Sequence, residues 1–385
     1  MKLFVLLSRF PYPLEKGDKL RAYHQIRLLS QQHEIHLCCL SDQKVTAEWR
    51  NELAPYCASI HVLKLRKILI YLNTFLQLFT DKPYQVGYFY QSPVQRKINQ
   101  LISTIHPDHI YCQLIRTTEY VKNIHNIPKT LDYQDALSKG MFRRAEISRG
   151  SKKQLFRAEG KRLSEYENRI FDFFNHHTII SEQDRDFINH PSKDRIEVIK
   201  NGIAESFFNY DMPSVKTHQI VFTGNMNYPP NIECAEFLVN EILPLLEDDV
   251  RILLSGASPH QRVLQLASKK VEVTGWVDDI RESYARAELF VAPLFIGTGL
   301  QNKLLEAMAM GIPSITTPLT NSALGASPDQ ELLIAENASQ FAEQINRLLN
   351  NKKLYGQVQL NAKKFVRENF SWEKSVKQLA HLIQS

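Results

Sequence analysis

Short, almost unbroken apolar runs recur along the whole chain, spaced by helix-length stretches, and the pattern restarts near the middle. The runs fall at 2–7, 34–40, 60–63, 109–111, 129–131, 178–180 and 195–199, then at 219–223, 251–255, 271–273, 289–292 and 314–316. Runs of this kind suit strands covered on both faces, and strands alternating with helices build parallel sheets. The expectation is an α/β chain of two doubly wound, Rossmann-like halves. A length of 385 residues supports two full cores. With 43% hydrophobic and 23% charged residues, disordered and fibrous classes are excluded. Asn201-Gly202, followed by the polar 209–218 stretch with Pro213, reads as a linker and divides the chain into 1–199 and 200–369, with a last helix over 370–385.

Several functional classes drop out. The 47 basic and 41 acidic residues leave +6, too little to indicate nucleic acid. Cys38, Cys39, Cys57, Cys112 and Cys234 are odd in number and lack C-x-x-C spacing, so neither a disulfide framework nor a zinc site is indicated and a reducing cytoplasm is expected. No H-E-x-x-H accompanies the thirteen histidines, and no metal is expected. The apolar start, Met1 to Leu7, has no small-residue cleavage site and reads as a first strand rather than a leader. The 68–79 stretch is too short to span a bilayer. Preceded by Lys64, Arg66 and Lys67, it reads either as a core-facing helix or as one lying on a membrane. After the first strand stands Ser8 to Asp18 with the single glycine Gly17, which disfavours dinucleotide binding, and no P-loop motif occurs. Gly17 still precedes a helix, whose first amides could meet an anion; a plain turn is the other reading.

The informative stretch runs from Ala292 to Pro313. A strand ends, a loop with Gly297 and Gly299 follows, and Thr298 with Gln301 three residues on reads as a capping box. Leu300, Leu304 and Met308 face a core at i, i+4, i+8, whereas Asn302, Lys303 and Glu306 share another face. A helix start after glycines offers amides to a phosphate, Lys303 adds a charge, and Glu306 can accept from both hydroxyls of a diol such as ribose. A simple Lys303–Glu306 surface pair is the alternative.

The run Gly275 to Pro313, with its G-L-Q-N-K-L-L-E-A-M-A-M-G-I-P end, resembles the donor half of family-4 glycosyltransferases of the GT-B fold. Ile199 to Gly202, Phe222 to Asn231 and the Phe370-Ser371-Trp372 helix start extend the resemblance, which is greatest to members building bacterial exopolysaccharide or lipopolysaccharide. It implies two Rossmann-like domains across a cleft, the first (1–199 with 370–385) binding the acceptor and the second (200–369) the nucleotide sugar. It implies retaining, metal-independent transfer of a sugar from a nucleotide-diphosphate donor to a glycan or lipid-linked acceptor. Beside it, the cysteine usage and the basic stretches lead to the expectation of a cytoplasmic protein with peripheral contact at the inner membrane face. Glu306 matches the glutamate that holds the donor ribose; Gly297, Thr298, Gly299, Leu300 and Gln301 match the loop at the diphosphate, and Gly224 with Asn225 the turn beside it. Two positions depart from the family. Thr298 replaces the first glutamate of E-x7-E, and Asn225 stands where an arginine is usual, leaving Lys303 as the main compensating cation, with Arg9, Lys16 and Arg21 as further candidates. Two alternatives stay open: a nucleotide-sugar epimerase of this fold and, motivated by these departures, a non-catalytic assembly partner.

Asp132 and Asp135 follow a strand at the place where family members put a catalytic or acceptor-orienting group, and either carboxylate could take a hydroxyl proton or simply serve a turn. Glu182 after Ser181 resembles a family position, though Ser181 reads equally as a helix cap. The cations from Arg143 to Arg162 suit a solvated face or anionic headgroups. Tyr84, Tyr88, Phe89 and Tyr90 suit either an acceptor groove or a core.

Overall fold

The structure, a computed structural model, describes residues 1–14, 16–295 and 300–385, the side chains of Leu78 and Ile147 excepted. The chain forms two compact units, Met1–Asn201 with Trp372–Ser385, and Gly202–Ser371.

Unit 1 is built on a seven-stranded parallel sheet of order β3-β2-β1-β4-β5-β6-β7. The strands are β1 Lys2–Leu7, β2 Glu34–Ser41, β3 Ser59–Lys64, β4 His109–Gln113, β5 Lys129–Gln134, β6 His176–Ile179 and β7 Glu197–Val198. β1 is buried from Leu3 to Leu7, as its continuous apolar run requires when helices cover both sheet faces. The 195–199 run shrinks to two residues because Lys193–Arg195 is a turn and β7 is the sheet edge.

Unit 2 holds a six-stranded parallel sheet of order β10-β9-β8-β11-β12-β13. Its strands are β8 His218–Thr223, β9 Ile252–Ser255, β10 Val271–Val273, β11 Ala287–Ala292, β12 Ser314–Thr316 and β13 Leu333–Ile334. The last has no counterpart among the expected runs; two residues are too few to show a period. In both sheets the order reverses beside the first strand, between β1 and β4 and between β8 and β11. Ligands of open α/β sheets settle outside the carboxyl ends of strands at such reversals.

The final helix, Trp372–Gln384, belongs to unit 1. Its Val376, Leu379 and Ile383 join Leu3, Val5 and Ile26 in one core, and Trp372 stacks on His24 of the helix Gly17–Leu29 at 4.6 Å. Burial pushes His24 down to about 4, so that ring is neutral at physiological pH. No helix among the described residues is long and apolar enough to cross a membrane.

Candidate functional site

At the carboxyl end of β8 the chain turns at Gly224, and the space a side chain would take there is already filled. A Cβ on Gly224 would lie 2.7 Å from Asn231 Nδ2 and 3.1 Å from Lys303 Nζ. Gly256, after β9, packs against the same turn so closely that its own Cβ would meet the Gly224 carbonyl. Glycines thus let two strand ends and a lysine converge at the sheet reversal. Asn225 supplies no cation and shapes the turn instead. Its Oδ1 accepts from the Asn227 amide at 3.0 Å, and its carbonyl accepts from Asn231 Nδ2 at 2.9 Å.

On the other side of the reversal, the helix Asn302–Ala309 follows β11 with Gln301 at its N-cap. The helix therefore begins three residues later than a Thr298 cap implies. Gly297, Thr298 and Gly299 lie outside the described residues. Leu304, Leu305 and Met308 are buried, and Leu300 packs against the same core. Lys303 and Glu306 share the opposite face. Lys303 Nζ donates to Asn231 Oδ1 at 2.6 Å and sits 4.7 Å from the Phe222 ring centroid. Burial lowers Lys303 to about 8, with Cys234 and Glu306 partly offsetting the shift.

Glu306 is held at Oε2 by the Tyr284 hydroxyl at 2.8 Å. Burial raises its carboxyl above the ordinary glutamate range, against the opposing pull of Tyr284 and Lys303. The site thus pairs an ammonium that is mostly protonated at neutral pH with an oriented carboxylate one helical turn away. Asn231 and Tyr284 were not singled out from sequence. Asn231 lies within the Phe222 to Asn231 motif and Tyr284 within the Gly275 to Pro313 run, but only the fold shows which of those residues touch Lys303 and Glu306.

In unit 1 the two aspartates part company. Asp132 is completely buried, paired through Oδ2 with Arg21 Nε at 2.6 Å and with the Tyr111 hydroxyl at 2.7 Å. Arg21 in turn donates to the Ile199 carbonyl and to Asn201 Oδ1, both at 2.9 Å. The pairing holds Asp132 below its usual range. Neither residue presents a charge to a ligand: the pair ties β5 to the end of the unit, and Arg21 is not a spare cation. Asp135, just beyond β5, is solvent-accessible. Partial burial of its carboxyl and the charges of Asp184 and Asp132 outweigh Arg21 and push it up to about 7. Ser181 is a helix cap, accepting from the Asp184 amide at 3.0 Å, and Glu182 is exposed.

A cavity of about 400 Å³ lies at the unit 1 reversal, lined by Arg9 after β1 and Arg116 after β4, with Lys16, Tyr84, Tyr88 and Trp49 among its walls. Gly17, the first residue of its helix, is exposed beside Lys16. Arg9 is 3.3 Å from Asp18. Burial and neighbouring Arg9 lower Arg116 to about 10, which leaves it a cation. Tyr84, Tyr88 and Phe89 line this cavity, whereas Tyr90 packs beside Tyr120.

The chain is similar to several known proteins. Residues 217–351 match the family described as Glycosyl transferases group 1. A Klebsiella pneumoniae protein described as "Uncharacterized 44.6 kDa protein in cps region" is 22% identical, the match covering 97% of each chain. Among solved structures, Anabaena Alr3699/HepE in complex with UDP matches with a TM-score of 0.70 at 15% identity over 100% of both chains. Sucrose-phosphate synthase from Thermosynechococcus elongatus gives 0.69 at 14% identity, covering 100% of this chain and 98% of its own. At such identities the likeness is one of fold, and that fold, with two parallel-sheet Rossmann-like units, is GT-B.

Proposed function

We propose that this protein is a glycosyltransferase that moves a sugar from a nucleoside-diphosphate donor, a UDP-sugar, to a glycan or lipid-linked acceptor with retention of configuration. Unit 2 takes the donor and unit 1 the acceptor. The observation that carries the reading is the convergence of Glu306, Lys303 and Gly224 at the β8/β11 reversal. The family match over 217–351 supports it, as do the UDP and UDP-glucose complexes of Alr3699/HepE, and the cps-region relative fits a role in surface polysaccharide.

In this mechanism the Glu306 carboxylate accepts from the donor ribose hydroxyls and fixes the nucleotide. Lys303 and the first-turn amides of its helix stabilise the charge that builds on the β-phosphate as the bond from the anomeric carbon to its oxygen breaks. The acceptor hydroxyl forms the new bond to that carbon and gives up its proton. Asp135, held near neutrality, has the basicity to receive a proton at working pH.

Calorimetry with UDP-glucose on the wild type, Glu306→Ala and Asp135→Asn tests this. Glu306→Ala should lose at least about tenfold in donor affinity. Asp135→Asn should keep the affinity and lose turnover. Unchanged UDP-glucose affinity in Glu306→Ala would overturn the donor assignment.

A further inference from the structure

The apolar 68–79 stretch turns outward. It forms the helix Lys67–Leu76 and the turn Gln77–Phe79, and Ile68, Tyr71, Leu72, Phe75, Leu76 and Phe79 follow one another at i, i+3, i+4, i+7, i+8, i+11. Each is exposed, from 47% at Leu76 to 81% at Ile68. A stripe at this spacing normally faces a core.

The helix is nonetheless firmly seated. Ile70 is buried on its inner side. Gln91 bonds both the amide and the carbonyl of Arg66 at the helix start, at 3.1 and 3.0 Å. At the far end Arg162 donates to the Gln77 carbonyl at 2.9 Å, and the Gln77 side chain fills the place a Cβ on Gly87 would need. The stripe is therefore a fixed surface.

The charge around it selects the occupant. Lys64, Arg66 and Lys67 are exposed at the helix start, no acidic residue occurs from Leu53 to Thr80, and the exposed Asp81 that follows is matched by the exposed Lys82. An apolar face bordered by cations fits the boundary between acyl chains and anionic headgroups.

We infer that unit 1 docks on an anionic lipid bilayer through the outer face of the 67–79 segment, with Lys64, Arg66 and Lys67 at the headgroups. The same helix lines the Arg9/Arg116 cavity through Thr74, so docking brings that cavity close to the lipid surface.

Flotation with phosphatidylcholine vesicles, with and without phosphatidylglycerol, tests the inference. The wild type should float with the anionic vesicles and be released as salt screens the basic flank. Ile68→Ser/Phe75→Ser/Phe79→Ser should reduce the bound fraction at least about tenfold. Lys64→Glu/Arg66→Glu/Lys67→Glu should bind no better to anionic than to neutral vesicles. Tyr71→Trp gives a second readout on a folded, otherwise intact protein: its emission should shift to the blue with anionic vesicles. UDP binding, which depends on unit 2, should survive in every variant, separating this inference from the transferase reading. No flotation and no blue shift would overturn it, as would a concentration-dependent dimer, detected by light scattering and abolished by the serine variant, which would make a second copy the occupant.

Discussion

The Tyr284 hydroxyl stands 2.8 Å from both Glu306 Oε2 and Thr223 Oγ1, linking the end of β8 to the carboxylate on the 302–309 helix. Tyrosine has one proton to give, and the carboxylate is the stronger acceptor. Thr223 therefore donates to the tyrosine oxygen and Tyr284 donates to Glu306. A fully buried phenol, which touches no ligand itself, aims the group proposed to bind one.

Tyr284→Phe keeps the ring and removes that donor. Glu306 then loses an interaction that opposes its upward shift, so more of it is protonated at mildly acidic pH. UDP-glucose affinity should fall about tenfold at neutral pH, and by more at pH 6 than at pH 8, as read by calorimetry. An affinity equal to wild type at both pH values would show that packing alone orients Glu306.

Lys303 sets the alkaline limit. Its pKa, lowered to about 8, leaves it charged below that pH and neutral above, so its share of diphosphate binding is present at neutrality and fades as pH rises through 8. Donor affinity should weaken across this range, and binding near pH 8 should take up protons, measurable as a buffer-dependent calorimetric enthalpy. Lys303→Met should flatten this limb and depress turnover roughly 10²-fold.

Gly224→Ala puts a methyl group 2.7 Å from Asn231 Nδ2 and 3.1 Å from Lys303 Nζ. Overpacking of this kind costs about 1–3 kcal/mol, and it separates the pair that positions the lysine. Thermal unfolding should register the destabilisation, and donor binding should weaken in a protein that remains folded. Full donor affinity would show that the turn can yield.

Asp132 is a test of stability. Asp132→Ala strands Arg21 as a buried unpaired cation, at a cost of about 3–5 kcal/mol. Replacing Arg21 and Asp132 together by leucine should recover much of it. Because folding lowers the Asp132 pKa, its stabilising contribution is complete above the unfolded value and is lost as pH falls through the folded one. Wild-type denaturation curves should show this loss at acid pH, and the double leucine variant should show it less.

The parallel strands were legible in the residues themselves. β1, β10 and β12 coincide with their apolar runs, and the other expected runs locate their strands to within a few residues, because a strand buried on both faces must be apolar throughout. The helix face that carries Lys303 and Glu306 was legible too, since a helical period is a local feature, although the helix starts at Asn302 and not after Thr298. Contacts between distant residues were not. Asp132 and Asp135 look alike three positions apart, yet Arg21, 111 residues upstream, closes over one and leaves the other accessible. Asn231 and Tyr284 gain their roles only when β8, β9 and β11 bring their carboxyl ends together. The 67–79 helix shows the same division: its spacing encodes an apolar stripe, but whether that stripe faces a core or the outside depends on what packs beneath it. Periodicity is a property of neighbours in the chain, and burial is a property of neighbours in space.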